Sequence, residues 1–149
     1  MHHADPDYMK IALELAEKGR GWTSPNPMVG AFIVKEGRIV GRGWHEQAGG
    51  AHAEVNAIAD AAGNTRGATM YVTLEPCNHY GSTPPCTKSI LEAGISRVVC
   101  AMNDPNPEVA GGGASYLAST GIEVETGICE NEARYLNEYF VKFSVTGRP

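Results

Sequence analysis

Residues 95 to 102 read ISRVVCAM, a nearly all-apolar run bounded by Gly94 and by Asn103-Asp104. A run of that length and composition is a strand only if both of its faces are covered, which is the situation inside a parallel sheet with helices on each side. Upstream, ATMYVTL (68–74) is a second β-rich run, and TPPCTKSILEAG, between the two, has helical spacing and ends on glycine. Strand, helix and strand in that order make a parallel crossover, right-handed by rule. The same alternation continues through a looser DPNPEVAGGG segment, a short helix around Tyr116 and Leu117, a strand at IEVET and an amphipathic ENEARYLNEYFVKF. At the other end, Asp5-Pro6 is a helix start with Asp5 as the cap, and MKIALELAEK runs apolar at helical spacing to Gly19. MVGAFIVK and RIVGRGWH, joined by Glu36-Gly37, form a hairpin, and the Ala-rich stretch from His52 to Ala62 is helical. The expectation is a three-layer α/β/α fold, a five-stranded mixed sheet with an N-terminal hairpin and helices on both faces. In such sheets ligands gather beyond the carboxyl ends of the strands, which is where Cys77 falls.

With 149 residues the chain is expected to hold one domain, 1–145, with 146–149 opening a linker. No apolar run approaches the eighteen or so residues of a membrane span, and MHHADPDYMK carries no apolar stretch of a secretory leader, so a cytoplasmic location is expected. Thiols stay reduced there, and four cysteines then point to a metal or to catalysis before disulfides. Twelve basic against seventeen acidic residues, a net charge of −5, argue against a domain that grips nucleic acid by neutralising phosphates. The leading His2-His3 pair is left out of the site.

LEPCNHYGSTPPC places Cys77 after a proline at a strand exit and Cys86 just behind Pro84-Pro85, with eight residues between the two. Thr83 as a cap would put Cys86 in the first turn of a helix, where unpaired amide N–H groups favour a thiolate. Two thiolates need further ligands, and GGAHAEVNA supplies His52 and Glu54. Residues two apart do not share a helix face, so these two converge only if His52 sits at the helix entry, an approach that Gly49 and Gly50 ease. Ligands His52, Cys77 and Cys86 around one zinc leave the fourth tetrahedral position to water, the arrangement of a catalytic site. Zinc lowers the pKa of such a water toward about 7, and Glu54 is placed to shuttle its proton.

Taken singly, each of these residues has a plainer explanation: a buried hydrophobe for a cysteine, a cap for a histidine, a dipole partner for a glutamate. For Cys100 and Cys129, beside apolar strands, that explanation is adopted. The joint pattern does not arise from packing alone. Zinc deaminases carry His-x-Glu followed by Pro-Cys-x-x-Cys, and the longer interval here adds only about 1.2 kcal/mol of loop closure, against roughly 10–16 kcal/mol of zinc binding.

TSPNPMVGAFIV, GWHEQAGGAHAEVNAI, GATMYVTLEPCNHYGSTPPC, VVCAMNDPNPEVAGGG and the closing GRP together resemble the deaminase half of the bifunctional riboflavin-biosynthesis deaminase/reductase family. The resemblance covers nearly the whole chain and is most specific in the long cysteine interval. It implies a cytidine-deaminase-like fold and loss of the 2-amino group of 2,5-diamino-6-ribosylamino-4(3H)-pyrimidinone 5′-phosphate, giving 5-amino-6-(5-phosphoribosylamino)uracil and ammonia. By position it makes His52, Cys77 and Cys86 the ligands of one Zn²⁺, Glu54 the proton shuttle and Asn26 a pocket residue. His45, His79, Asn103 and Asp104 are further candidates for contacts to base, ribose or phosphate. The family usually carries a basic residue where this chain has Ser82, which implies either weaker phosphate binding or a cation supplied by another group, such as Lys88 or Arg42. No dinucleotide fingerprint follows a strand, so no NADPH site is expected; the reductase is expected either in a further C-terminal domain, the favoured reading, or in a separate protein. Expected partners are a small phosphorylated pyrimidine, neither nucleic acid nor membrane, and further copies of the chain, because Tyr135, Leu136, Tyr139, Phe140 and Phe143 offer apolar surface on the last helix. The rival readings are another nucleoside, nucleotide or tRNA deaminase, and a zinc-stabilised module without catalysis.

Overall fold

The structure, a computed structural model, describes residues 4–78, 85–105 and 112–138. Helix α1 (Asp5–Glu17) precedes the hairpin of β1 (Gly30–Lys35) and β2 (Arg38–Trp44), and α2 (Ala53–Asp60) leads to β3 (Thr69–Val72). Then α3 (Cys86–Ala93), β4 (Arg97–Cys100), α4 (Gly112–Ser119), β5 (Glu123–Thr126) and α5 (Glu130–Leu136) complete the order. The strands form one sheet ordered β2-β1-β3-β4-β5. Strand β1 runs antiparallel to β2 and β3, while β3, β4 and β5 are parallel.

Each of these pairings follows from local chemistry. Glu36 and Gly37 both take positive φ, 51° and 78°, the geometry of a tight turn whose twist matches a hairpin. All four residues of β4 are buried, because its two faces lie against different cores. On one face Ala31, Ile33, Met70, Val72 and Val98 pack with Ala53, Ala57 and Ala61 of the α2 segment, Ile90 of α3 and Leu117 of α4. On the other, Phe32, Tyr71 and Val99 pack with Met9, Ala12 and Leu15 of α1 and Ala133 of α5. The alternation of Ala31 and Ile33 with Phe32 and Val34 is the period of two expected of a strand between two helical layers. The three-layer architecture read from the sequence is the one observed.

Two glycines set how close α2 comes. A Cβ at Gly43 would overlap backbone atoms of Ala53 and Ala57, and one at Gly41 the Ala57 carbonyl. Glycine on β2 facing alanine on α2 therefore lets the helix lie directly on the strand, and its first turn arrives over the sheet edge where β3 and β4 end.

The N-terminal expectation needs correction. Asp5 caps nothing: Ala4 is the N-cap residue and makes no side-chain cap, while Asp5 is the first helical residue and fully buried. The helix start lies against the sheet, so this short side chain points inward. Its carboxylate accepts from Arg97 Nη1 (3.0 Å) and Nη2 (2.7 Å) and from the Tyr71 hydroxyl (2.6 Å), and Arg97 Nε donates to Glu123 at 2.9 Å. Burial and the Asp5 carboxylate push the Tyr71 hydroxyl far up. Removing one partner of a buried pair leaves an uncompensated charge, so Asp5→Ala is expected to cost about 3–5 kcal/mol, measured as the shift in a urea unfolding midpoint at constant slope.

The α3 start also differs from expectation. Pro85 is the N-cap residue without a side-chain cap, and the helix begins at Cys86; Thr83 and Pro84 lie outside the described residues. Among the described residues no helix is long and apolar enough to cross a membrane.

Candidate metal centre

The entry to β1, the exits of β2, β3 and β4, and the start of α2 meet at one sheet edge. There a cavity of about 280 Å³ is lined by Asn26, Pro27, Val29, His45, His52, Ala53, Glu54, Leu74, Glu75, Cys77 and Asp104. His52 is the N-cap residue of α2, with φ −73° and ψ 160°. It precedes regular helix geometry, which is the one condition under which His52 and Glu54 face a common centre. Cys77 leaves the β3 exit behind Pro76, and Cys86 opens α3.

His52 Nδ1 stands 3.1 Å from Cys86 Sγ and 4.0 Å from Cys77 Sγ, and the Cys86 backbone N–H donates to Cys77 Sγ at 3.2 Å. All three donor atoms lie within 4.8 Å of one another. Zinc bonds of about 2.3 Å to sulfur and 2.0–2.1 Å to nitrogen place tetrahedral ligand atoms about 3.5–3.8 Å apart, which the two observed distances to His52 bracket. Two thiols and one imidazole are also the donors zinc prefers, so the residues fit one Zn²⁺. The Cys77 thiol is held well below its ordinary range, first by the hydrogen bond from the Cys86 thiol and then by His52 and the Cys86 N–H at the helix start. Cys86 keeps the shared proton, and its own thiol is pushed up by that bond and by burial. The hydrogen bond to Cys77 raises His52.

Glu54 is 4 % exposed on the first turn of α2. Burial pushes its carboxyl up to about 7, against the opposing pull of its own backbone N–H and of His52. A carboxyl that both gains and loses its proton near neutrality suits a proton shuttle.

Of the other sequence candidates, His45 is buried, with Nδ1 3.1 Å from the Ala51 carbonyl. That carbonyl can only accept, so Nδ1 carries the proton and Nε2 is the acceptor facing the Asn26 amide, 3.5 Å away. Asn26 and Asp104 line the cavity with it; Asn103 is exposed and stands outside the lining. His79 and Ser82 lie outside the described residues. The four cysteines are free, with Cys100 buried in β4 and Cys129 half-buried at the start of α5 with a φ of 62°.

Two residues escaped the sequence reading. Glu75, 4 % exposed, lines the cavity; its signal was a carboxylate wedged between Leu74 and Pro76 at the end of a buried strand. Asn137 accepts from the Met28 N–H and donates to the Met28 carbonyl, both at 2.7 Å. It thereby fixes the Pro27–Val29 wall from the end of α5, a long-range pairing with no sequence signal.

Residues 2–102 match the sequence model described as the cytidine and deoxycytidylate deaminase zinc-binding region. The chain belongs to that family. The chain is 57 % identical over 145 residues to the riboflavin biosynthesis protein RibD of Aquifex aeolicus, covering 97 % of this chain and 41 % of the relative. It is 51 % identical over 142 residues to the diaminohydroxyphosphoribosylamino-pyrimidine deaminase of Buchnera aphidicola, covering 95 % of this chain and 97 % of that protein. Among solved structures, a deaminase/reductase of Thermotoga maritima superposes with a TM-score of 0.94 at 49 % identity, over 99 % of this chain and 43 % of that one. The chain thus spans about two fifths of the length of several curated relatives, which are larger proteins, and nearly all of another.

Proposed function

We propose that this domain hydrolytically deaminates 2,5-diamino-6-ribosylamino-4(3H)-pyrimidinone 5′-phosphate, with His52, Cys77 and Cys86 holding one Zn²⁺ and Glu54 moving the protons. The observation that carries the reading is a buried carboxyl, Glu54 in the first turn of α2, beside a three-donor group of His52, Cys77 and Cys86 that fits zinc with a position to spare. When bound, zinc supplies a water of lowered pKa as nucleophile. Glu54 would accept a proton from the attacking water and hand it to the ring nitrogen next to the amine-bearing carbon. A second transfer through the same carboxyl goes to the departing nitrogen. One C–O bond forms, one C–N bond breaks, and ammonia leaves a ring carbonyl behind.

Asn26, held by His45, is positioned to orient the base or sugar, and Asp104 also lines the cavity. The wider reading takes residues 1–145 as the deaminase unit, in a cytoplasmic setting that suits free cysteines, with a reductase domain following in the full protein and the exposed Tyr135 of α5 available to further copies; Tyr139, Phe140, Phe143 and residues 146–149 lie outside the described residues. The similarity to a riboflavin biosynthesis protein and to a diaminohydroxyphosphoribosylamino-pyrimidine deaminase supports the substrate choice.

The test is ammonia release from the diaminopyrimidine phosphate compared with cytidine, dCMP and an RNA stem-loop. A pocket that hydrogen-bonds its own substrate is expected to favour it by about 10³-fold or more in kcat/KM. Equal or better turnover of dCMP or the stem-loop would sink the assignment.

A further inference from the structure

Glu75 follows β3 and reaches the cavity wall with a carboxylate almost out of solvent. A buried carboxylate is costly to keep unless hydrogen bonds hold its charge. Here the two oxygens are used separately: Oε1 accepts from the Asp104 backbone N–H at 3.0 Å and Oε2 from the Ala114 N–H at 2.9 Å. Asp104 follows β4 and lines the cavity, while Ala114 belongs to the first turn of α4. A single side chain therefore spans the two flanks of the 105–112 connection.

Neighbouring contacts tighten the same join. Gly113 presses on the Pro76 carbonyl, where a Cβ would overlap the oxygen, and Asn78 Nδ2 donates to the Gly112 carbonyl at 3.5 Å. The segment carrying Cys77 and the start of α4 are thus one packed unit. Both oxygens are held by fixed backbone donors, so the Glu75 side chain is oriented on its two partners.

We propose that Glu75 is a substrate-positioning residue: by bridging the Asp104 and Ala114 amides it sets the distance between the Asp104 wall and the metal-ligand side of the pocket, across which the pyrimidine phosphate must fit. The proposal rests on the deaminase reading above. Its distinctive consequence is that loss of the bridge weakens substrate binding without removing the chemistry.

Glu75→Gln is the direct probe, because an amide has one carbonyl oxygen and would turn an NH₂ toward the second backbone donor. With zinc still at one per chain, KM for the pyrimidine phosphate is expected to rise about tenfold while kcat stays within about threefold. Affinity for the uracil product, measured by calorimetry, should fall by the same factor, and hydrogen exchange should accelerate at the 104 and 114 amides. Unchanged KM, product affinity and exchange in folded, zinc-loaded Glu75→Gln would overturn the proposal, as would a fall in kcat at constant KM. Should that variant not fold, Glu75→Asp, which keeps both acceptors on a shorter stem, is read by the same criteria. Wild-type protein that releases no ammonia from the pyrimidine phosphate defeats the functional reading instead, and the exchange rates at 104 and 114 still report whether Glu75 holds the wall.

Discussion

Glu54→Gln is expected to lower kcat for ammonia release by about 10⁴-fold, the upper end of what one acid–base group contributes, because a single carboxyl serves both proton transfers. The amide keeps the shape of the side chain but neither takes nor gives a proton. Zinc content should stay at one per chain, since the proposed ligands are His52, Cys77 and Cys86, and that separates the loss from a damaged metal site. Loss of activity together with zinc would instead make Glu54 a ligand. The same variant carries a pH signature in chelator-treated protein. The Glu54 carboxyl is raised from 4.5 to about 7 in the fold. Below pH 4.5 it is protonated folded or unfolded and costs nothing. Between 4.5 and 7 the unfolded chain releases a proton that the folded one retains, so the Glu54 contribution to stability falls as pH rises, by about 3 kcal/mol in all, and is flat above 7. Glutamine has no such loss. The stability of Glu54→Gln minus that of wild type should therefore grow by about that amount across the window, as read from denaturant curves at pH 4.5 and 7.5.

Removing a ligand should have an effect of comparable size with a different fingerprint. Cys86→Ala is expected to bring zinc from one per chain to well below one and to abolish ammonia release, as is dialysis of wild type against a strong chelator with restoration by added Zn²⁺. Two-sided cores built on Phe32, Met70, Val98 and Val99 do not involve the metal, so far-UV circular dichroism should be retained. What is lost is the stabilisation by mass action that a tight ligand confers, which lowers Tm in proportion to ln([Zn]/Kd). Collapse of the secondary structure on chelation would contradict the picture, since it would make the zinc structural.

The metal site was legible in the sequence because every member carries a local signal. Cys77 follows the end of a buried strand, Cys86 begins a helix, and His52 stands at a helix entry marked by two glycines. Each location is set by residues a few positions away, and the N-cap geometry of His52 confirmed the one condition that the His-x-Glu spacing imposed. The cavity walls were harder. Asn26 and His45 lie nineteen residues apart and meet because β1 and β2 pair back to back, which the hairpin implies without naming the contact. Asn103 and Asp104 were equal candidates as sequence neighbours, yet only Asp104 lines the cavity. Neighbouring residues in a strand exit point different ways, and composition says nothing about which.

Asp5 is the clearest case of misplaced local logic. Asp before Pro at a helix start is a sound cap signal, but a salt bridge to a residue 92 positions away took the side chain inward. Propensity speaks for a few tenths to about 2 kcal/mol, and a buried ion pair whose breakage costs more overrides it. The alternation of strand and helix and the His52, Cys77 and Cys86 donor group were written in short stretches of sequence, since period, caps and turns act over a few residues. Which carboxylate would clamp the wall, which asparagine would brace Met28 and which acid would meet Arg97 depended on chain segments brought together from 29 to 109 residues apart. Those contacts exist only once the sheet has assembled, because no local interaction selects the partner.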